Sequence, residues 1–470
     1  MASDSQDEEW QLLYESDSED SYTRSIQEHD LITAPLMTRE ALIRSNQSMR
    51  TQYGLLGKVL AIHSKGHTEV PKDQRLYLSS NAPFSALVCG VQGSGKSHTV
   101  GTILENMLIP NFPPIGSVTK ALSGLVLHFG EGGSGTHPNE AAWLCQSITS
   151  LVSGPAVRVY VSRSSLATMR AVYAPLGNKV TVEPLYFQKS ELDAAAFLSM
   201  MAVGSSESAP LYMQVVLSIL RELGERYSYQ AFLKKLELSK QKFNPAQLSG
   251  LEQHMSLLTS FLDPSSMGPP TSRFASGQLT IIDLSDPFLD AASACGLFEI
   301  ILRLFVRADV GTGKVVVMDE AHKYLSSSKS SSGLTNALLR LVRQQRHLAM
   351  RVIISTQEPT VVPPVLLDLC TVAILHRFSS PSWWQHLIQH VSADFSQSDA
   401  FDKLVNLQTG QAIVLAPSAI GVFEESGDVE SSRPRPSYES LSYFGRRYII
   451  MKTRRRVTED GGASVLVLDS

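Results

Sequence analysis

The stretch SALVCGVQGSGKSHTV, residues 85–100, decides how this chain is read. Gly90 to Ser97 fits G-x-x-x-x-G-K-[ST], a loop whose glycines let successive backbone N–H groups curl around one phosphate. The apolar run FSALVCG (84–90) precedes it and the helix-like KSHTVGTILENML (96–108) follows. Strand, loop and helix in that order set a bound phosphate on a helix N-terminus. The candidate nucleotide contacts are therefore Gly90, Val91, Gln92, Gly93, Ser94, Gly95, Lys96, Ser97 and His98. Lys96 is placed to reach the β- and γ-phosphates, and Ser97 to hold Mg²⁺. Read blandly, the same string is a glycine-rich turn.

KVVVMDEAHKYL, residues 314–325, supplies a second half. Its apolar residues carry Asp319 to the C-terminal end of a strand, where a carboxylate can orient Mg²⁺ through water. Glu320 comes next and is placed to polarise a water for in-line attack on the γ-phosphate. Kinases gain little from a water-activating acid there. GTPases need N-K-x-D, and NKVT (178–181) lacks its Asp. Water as acceptor points to an ATP hydrolase. In RVIISTQEP (351–359) the next strand ends in Ser355, Thr356 and Gln357, and Gln357 is a candidate γ-phosphate sensor. The bland alternatives are two solvated acids at a strand end and a glutamine that caps a loop.

Composition bounds the rest. At 470 residues, 43% hydrophobic and 18% charged, the chain is of ordinary globular type. Its net charge of −4 is uneven, because residues 1–20 hold eight acids and no Lys or Arg. The remainder is mildly basic. Cys89, Cys145, Cys295 and Cys370 form no CxxC pair, which suits a reduced intracellular chain better than a zinc site or disulfide framework. No apolar run reaches the ~18–20 residues that span a bilayer. A soluble protein is expected, cytoplasmic or nuclear.

Buried-strand candidates recur at 124–129, 157–162, 278–284, 314–319, 351–356, 372–377 and 411–417, with helical patterns between many of them. This argues an α/β fold with a mainly parallel sheet. Residues 190–265 differ, reading as successive amphipathic helices and hence a helical insertion. Three regions follow: an acidic disordered tail and linker (1–52), an ATPase domain (53–423), and a polar linker with a basic C-terminal segment (424–470). Residues 433–456 carry eight Lys/Arg against one Glu, a candidate grip for phosphates or a localisation signal. The opposite charges of the two ends suggest that the acidic tail covers the basic one.

Three lookalikes fail on context. DEAH (319–322) is a helicase box, but too little chain follows for a second RecA-like domain. LSGLE (248–252) lacks the second Gly of the transporter signature. GTGKV (311–315) has Ala308 at the first Gly position and Val315 where Ser/Thr belongs.

Taken together, GVQGSGKSHT (90–99), LTIIDLSD (279–286), VVVMDEAHKYL (315–325), LLRLVRQQRHLAMRVIISTQEP (338–359) and ILHRFSS (374–380) resemble the HerA–FtsK superfamily of P-loop ATPases. The fourth string is the most specific, with Arg343 and Arg346 on a basic helix before a strand that ends in Ser-Thr-Gln. The resemblance spans about residues 54–420. It implies a RecA-like core of the ASCE class, a homo-oligomer, by family habit a hexameric ring, and hydrolysis coupled to movement of DNA or another polymer. It also implies an arginine acting across the subunit interface. Arg346 is the first candidate, with Arg343 and Arg377 behind it; an exposed basic helix face is the plain alternative. The chain departs from the family at Gln345, where Gly is common, and shows neither an N-terminal β-barrel nor a C-terminal winged helix. The second functional reading is an ATP-dependent switch or assembly factor acting on protein partners without nucleic acid.

Overall fold

Most apolar runs become strands covered on both faces, and consecutive residues of each run feed two different cores. In the phosphate-loop strand, Leu87 and Cys89 pack into one hydrophobic cluster while Ala86 and Val88 pack into the other. The same division separates Val316 and Met318 from Val315 and Val317, and Val352 and Ile354 from Ile353. A strand buried on both sides cannot show polar alternation, which is why these runs are continuous. The computed structural model describes residues 26–45, 51–64, 67–133, 135–200, 211–241, 243–263, 272–325, 332–391, 393, 397–425 and 438–462. The acidic residues 1–25, the serine-rich 326–331 and the linker 426–437 lie outside these.

The described chain begins with α1 (Glu28–Thr33), β1 (Leu36–Thr38) and α2 (Arg39–Arg44), then β2 (Tyr53–Ser64), β3 (His67–Glu69) and β4 (Arg75–Ser79). Next come β5 (Ser85–Cys89), α3 (Lys96–Leu108), β6 (Ser123–His128), β7 (Ala156–Val161), α4 (Leu166–Tyr173) and β8 (Val180–Pro184). Helices α5 (Ala194–Met200), α6 (Leu211–Leu223), α7 (Tyr229–Lys240) and α8 (Pro245–Ser260) follow, with no strand between them among the described residues. They form the helical insertion expected over 190–265. The chain returns through β9 (Gln278–Asp283), α9 (Ala291–Arg307), β10 (Lys314–Met318), α10 (Ser332–Gln344), β11 (Met350–Thr356), α11 (Pro364–Asp368) and β12 (Val372–His376). It continues with α12 (Pro381–Ile388), α13 (Gln397–Val405), β13 (Gln411–Leu415), β14 (Ile420–Glu425), β15 (Tyr438–Tyr443) and β16 (Tyr448–Thr453). Among the described residues no helix is long and apolar enough to cross a membrane.

One sheet holds all these strands, in the order β15-β14-β1-β4-β2-β16-β13-β12-β5-β11-β10-β6-β9-β7-β8, with β3 paired to β2. From β12 to β8 every pairing is parallel. Counting only β5, β6, β10, β11 and β12 in chain order, the centre reads 5-1-4-3-2, the RecA-like arrangement, with β11 between β5 and β10. Register sets the strand tips level: Met318 lies opposite Ile354 and Leu127, and Thr356 opposite Cys89.

Two boundaries differ from the sequence expectation. Residues 26–45 belong to the folded body rather than to a tail, since β1 pairs with β4 and β14 and buries Leu36 and Met37. A three-residue strand is too short to carry a period, so tertiary pairing alone orders it. At the other end, β15 and β16 are sheet strands, and two arginines of the basic segment are not free to grip phosphates. The side chains of Arg454 and Arg456 are 9% and 2% exposed and pair with Glu105 of α3. Their partner lies some 350 residues upstream, beyond any local charge count. This takes Arg454 and Arg456 out of the basic surface that the acidic N-terminal segment was expected to cover, while Arg446, Lys452 and Arg455 stay exposed.

Candidate active site

The parallel strands end together, and ligand sites of open α/β sheets lie outside such carboxyl ends. At the tip of β5, Gly90, Gly93 and Gly95 have φ of 152°, 72° and 107°. Gly95 is required twice over, because a Cβ there would also stand 2.9 Å from the backbone of Gly410. The loop is held from both sides: Val91 N–H donates to the Arg377 carbonyl (3.0 Å) and Gly410 N–H to the Ser94 carbonyl (3.0 Å). Ser94 Oγ closes the turn onto the Val91 carbonyl (2.6 Å).

Lys96 is 5% exposed and its ammonium donates to the Val91 carbonyl (3.2 Å). Burial lowers its pKa, opposed by the charges of Glu320, Asp319 and Glu140 nearby. Burial raises the pKa of the Glu140 carboxyl, opposed by the side chain of Ser97. The ring nitrogens of His98 face Asp460 Oδ2 (2.7 Å) and the Arg454 carbonyl (2.8 Å), so both act as donors. The Asp460 hydrogen bond raises the pKa of His98 and holds that of Asp460 down at about 2. His98 thus turns to the C-terminal strap rather than into the loop.

Asp319 and Glu320 follow β10. Asp319 Oδ2 accepts from Asn139 Nδ2 (2.7 Å) and meets His128 Nδ1 at 3.0 Å. Burial works to raise the Asp319 pKa, but the His128 and Asn139 hydrogen bonds outweigh it and the net shift is downward. Behind this pair, Tyr173 donates to the buried Asp283 (2.7 Å) and accepts from Asn139 N–H (3.1 Å). Glu320 has φ 49°, an αL conformation that costs a non-glycine residue of order 1–3 kcal/mol. Gln357 Nε2 donates to Glu320 Oε2 (2.8 Å), and His322 Nε2 lies 3.4 Å from the same oxygen. Gln357 and Glu320 thus meet across the β10–β11 pair beside the phosphate loop.

The hydroxyl of Ser97 and the carboxylate of Asp319 are hard oxygen donors of the kind Mg²⁺ takes. Among the described residues Asp319 Oδ1 accepts no hydrogen bond. The donor set fits the ion.

The three arginines separate. Arg377 is exposed at the tip of β12, where its carbonyl holds Val91. Arg343 and Arg346 are exposed near the end of α10, before β11 begins, at the opposite end of the sheet from their own phosphate loop. Sequence reasoning did not single out His128, Asn139, Glu140 or His322. His128 was findable as the polar end of a buried strand. Asn139 and Glu140 sit in a Gly/Pro-rich loop with no periodic signal.

No family model and no curated protein matches the chain. Among solved structures it is similar to VirB4 of Thermoanaerobacter pseudethanolicus, at 12% identity and TM-score 0.44, over 86% of this chain and 96% of that one. The genome packaging NTPase B204 from Sulfolobus turreted icosahedral virus 2, in complex with ATP-gammaS, matches 29% of this chain and 61% of its own at 17% identity and TM-score 0.22. The cytoplasmic domain of the type VII secretion ATPase EccC of Thermomonospora curvata matches at 11% identity and TM-score 0.32, over 86% of this chain and 29% of that one.

Proposed function

We propose that the chain is an ATP hydrolase of the HerA–FtsK kind, working as a homo-oligomeric motor that moves a polymer, with DNA the first candidate. The observation that carries this reading is the Gln357–Glu320 hydrogen bond at the strand tips, beside Lys96 and Ser97. Glu320 takes a proton from the attacking water, and Gln357 links that carboxylate to the state of the γ-phosphate. Lys96 neutralises the phosphate charge. Ser97 and Asp319 would hold Mg²⁺, which would neutralise phosphate charge there. Arg346, at the far end of its own sheet, is assigned to a neighbour's nucleotide, while Arg377 lies beside its own loop.

A second reading, an ATP-driven switch on protein partners, gains from one observation. Arg454 and Arg456, part of the apparent nucleic-acid grip, are buried against Glu105. Steady-state ATP hydrolysis with and without single- and double-stranded DNA, at low and physiological salt, separates the two. Stimulation by DNA that is absent in Glu320→Gln supports the motor on DNA. Hydrolysis indifferent to DNA supports the switch, and wild-type hydrolysis no faster than Glu320→Gln refutes both.

A further inference from the structure

A groove of about 430 Å³ lies between α5, α9 and α10, away from the nucleotide loop. Leu302, Val306, Ala337 and Leu341 contribute its apolar lining, and Arg303, Arg307 and Arg340 its positive charge. Arg303 is shared between Glu299 (3.4 Å) and Asp193 (3.6 Å), and Arg307 also pairs with Asp193 while staying 65% exposed. Arg340 is exposed and has no ion pair among the described residues. Three guanidiniums against two carboxylates leave the groove positive.

The groove ends at Gln344 and Leu348. A second recess, of about 490 Å³, starts at the intervening Gln345 and Arg346, and Asp30 and Thr33 of α1 line it as well. The described chain begins at Ile26, two residues before α1, so the N-terminal segment leaves the fold one recess away from the groove. That segment contains EEWQLLYESDSED, residues 8–20. Trp10, Leu13 and Tyr14 have the i, i+3, i+4 spacing of one helical face, with acids on both sides. With residues 8–20 docked, the six residues from Asp20 to Ile26 remain as a tether of up to ~20 Å when extended.

We propose that residues 8–20 dock within the same chain into this groove, with Trp10, Leu13 and Tyr14 on the apolar lining. Glu8, Glu9, Glu15 and Asp17 then face Arg303, Arg307 and Arg340. This is helix-in-groove recognition with aromatic anchors, and the charges set its register. Docking also lays carboxylates along the helix that carries Arg343.

The test uses the full chain with the photo-crosslinker benzoylphenylalanine at position 13, irradiated as an equimolar mixture of ¹⁴N- and ¹⁵N-labelled protein. Crosslinks within one chain to Leu302, Val306, Ala337 or Leu341 are expected. Their yield should fall several-fold in Arg340→Glu, survive in Arg340→Lys, and fall near 1 M salt, where the screening length is about 3 Å. Arg340 is exposed, so neither substitution disturbs the core. Crosslinks elsewhere, no crosslinks, or a yield indifferent to Arg340→Glu would overturn the proposal. Heavy–light crosslinks would assign the groove to a second copy and overturn docking within one chain.

Discussion

Replacing Glu105 by alanine should loosen the whole C-terminal strap from the phosphate-loop helix. The Glu105 side chain is fully buried, and its carboxylate accepts from Val457 N–H (3.0 Å), Thr458 N–H (2.9 Å), Thr458 Oγ1 (2.6 Å) and Arg454 Nη1 (2.7 Å). Arg456 Nε stands 3.6 Å away. Truncation leaves two buried guanidiniums without their carboxylate, a loss of ~3–5 kcal/mol for a broken buried pair. Two orphaned backbone N–H groups add ~1–3 kcal/mol each where water fails to reach them. Water entering the vacated space offsets much of the second term, so ~4–5 kcal/mol is expected. Against a total stability of ~5–15 kcal/mol this is a large fraction. Urea unfolding of the full chain measures the loss, and amide exchange across 454–460 locates it. Glu105→Gln, which keeps an acceptor oxygen without the charge, should lose less. A loss under ~1 kcal/mol for Glu105→Ala, with unchanged exchange in the strap, would refute the reasoning.

If Arg346 acts on a neighbour, mixing Arg346→Ala with Glu320→Gln subunits should regain hydrolysis at mixed interfaces, because each supplies what the other lacks. Arg377→Ala mixed with Glu320→Gln should not recover, since every subunit's own site then carries one lesion; the reverse pattern would exchange their roles. Gln357→Ala should cut turnover by ~10²-fold or more while nucleotide affinity, followed by a fluorescent ATP analogue, stays within a few-fold. Gly95→Ala should abolish nucleotide binding, because its φ of 107° and the Gly410 backbone 2.9 Å away both exclude a Cβ; retained binding in the same titration would contradict this. His376 is buried, with Nδ1 toward the Gln411 carbonyl and Nε2 toward Thr99, and burial lowers its pKa to about 4 from the unfolded 6.5. A histidine held neutral stabilises the fold above pH 6.5, and the contribution is lost as pH falls toward 4. The difference is ~3 kcal/mol, and urea midpoints of wild type and His376→Asn between pH 7 and pH 4.5 should converge.

The meeting of the candidate site residues was legible because their placement is local. Lys96 and Ser97 share a loop, and Asp319, Glu320 and Gln357 each end an apolar run, so their strand tips could be expected to meet. What could not be read depends on partners far apart in sequence. Leu36 and Met37 sit in a three-residue strand whose order comes from β4 and β14. Arg454 and Arg456 look like an exposed basic run until Glu105 is brought to them. Asn139 reaches Asp319 across 180 residues, from a loop whose glycines signal a turn but no contact. His98 lies within the loop motif, yet its ring answers to Asp460 rather than to the motif.

β16 is the seam of the sheet. It alone joins β13, at the border of the nucleotide core, to β2 of the antiparallel block, pairing antiparallel with both. During synthesis β2 emerges near residue 53 and β13 near residue 411, but neither has its neighbour until residue 448 is made. At 5–20 residues per second the wait from residue 53 to residue 448 is roughly 20–80 s. Throughout that interval one flank of β2 waits with its N–H and C=O groups unpaired, and later one flank of β13 joins it. Open strand edges are templates for another chain. The nascent protein therefore carries an aggregation hazard that the finished fold conceals, and any chain stopped before residue 448 keeps both edges open.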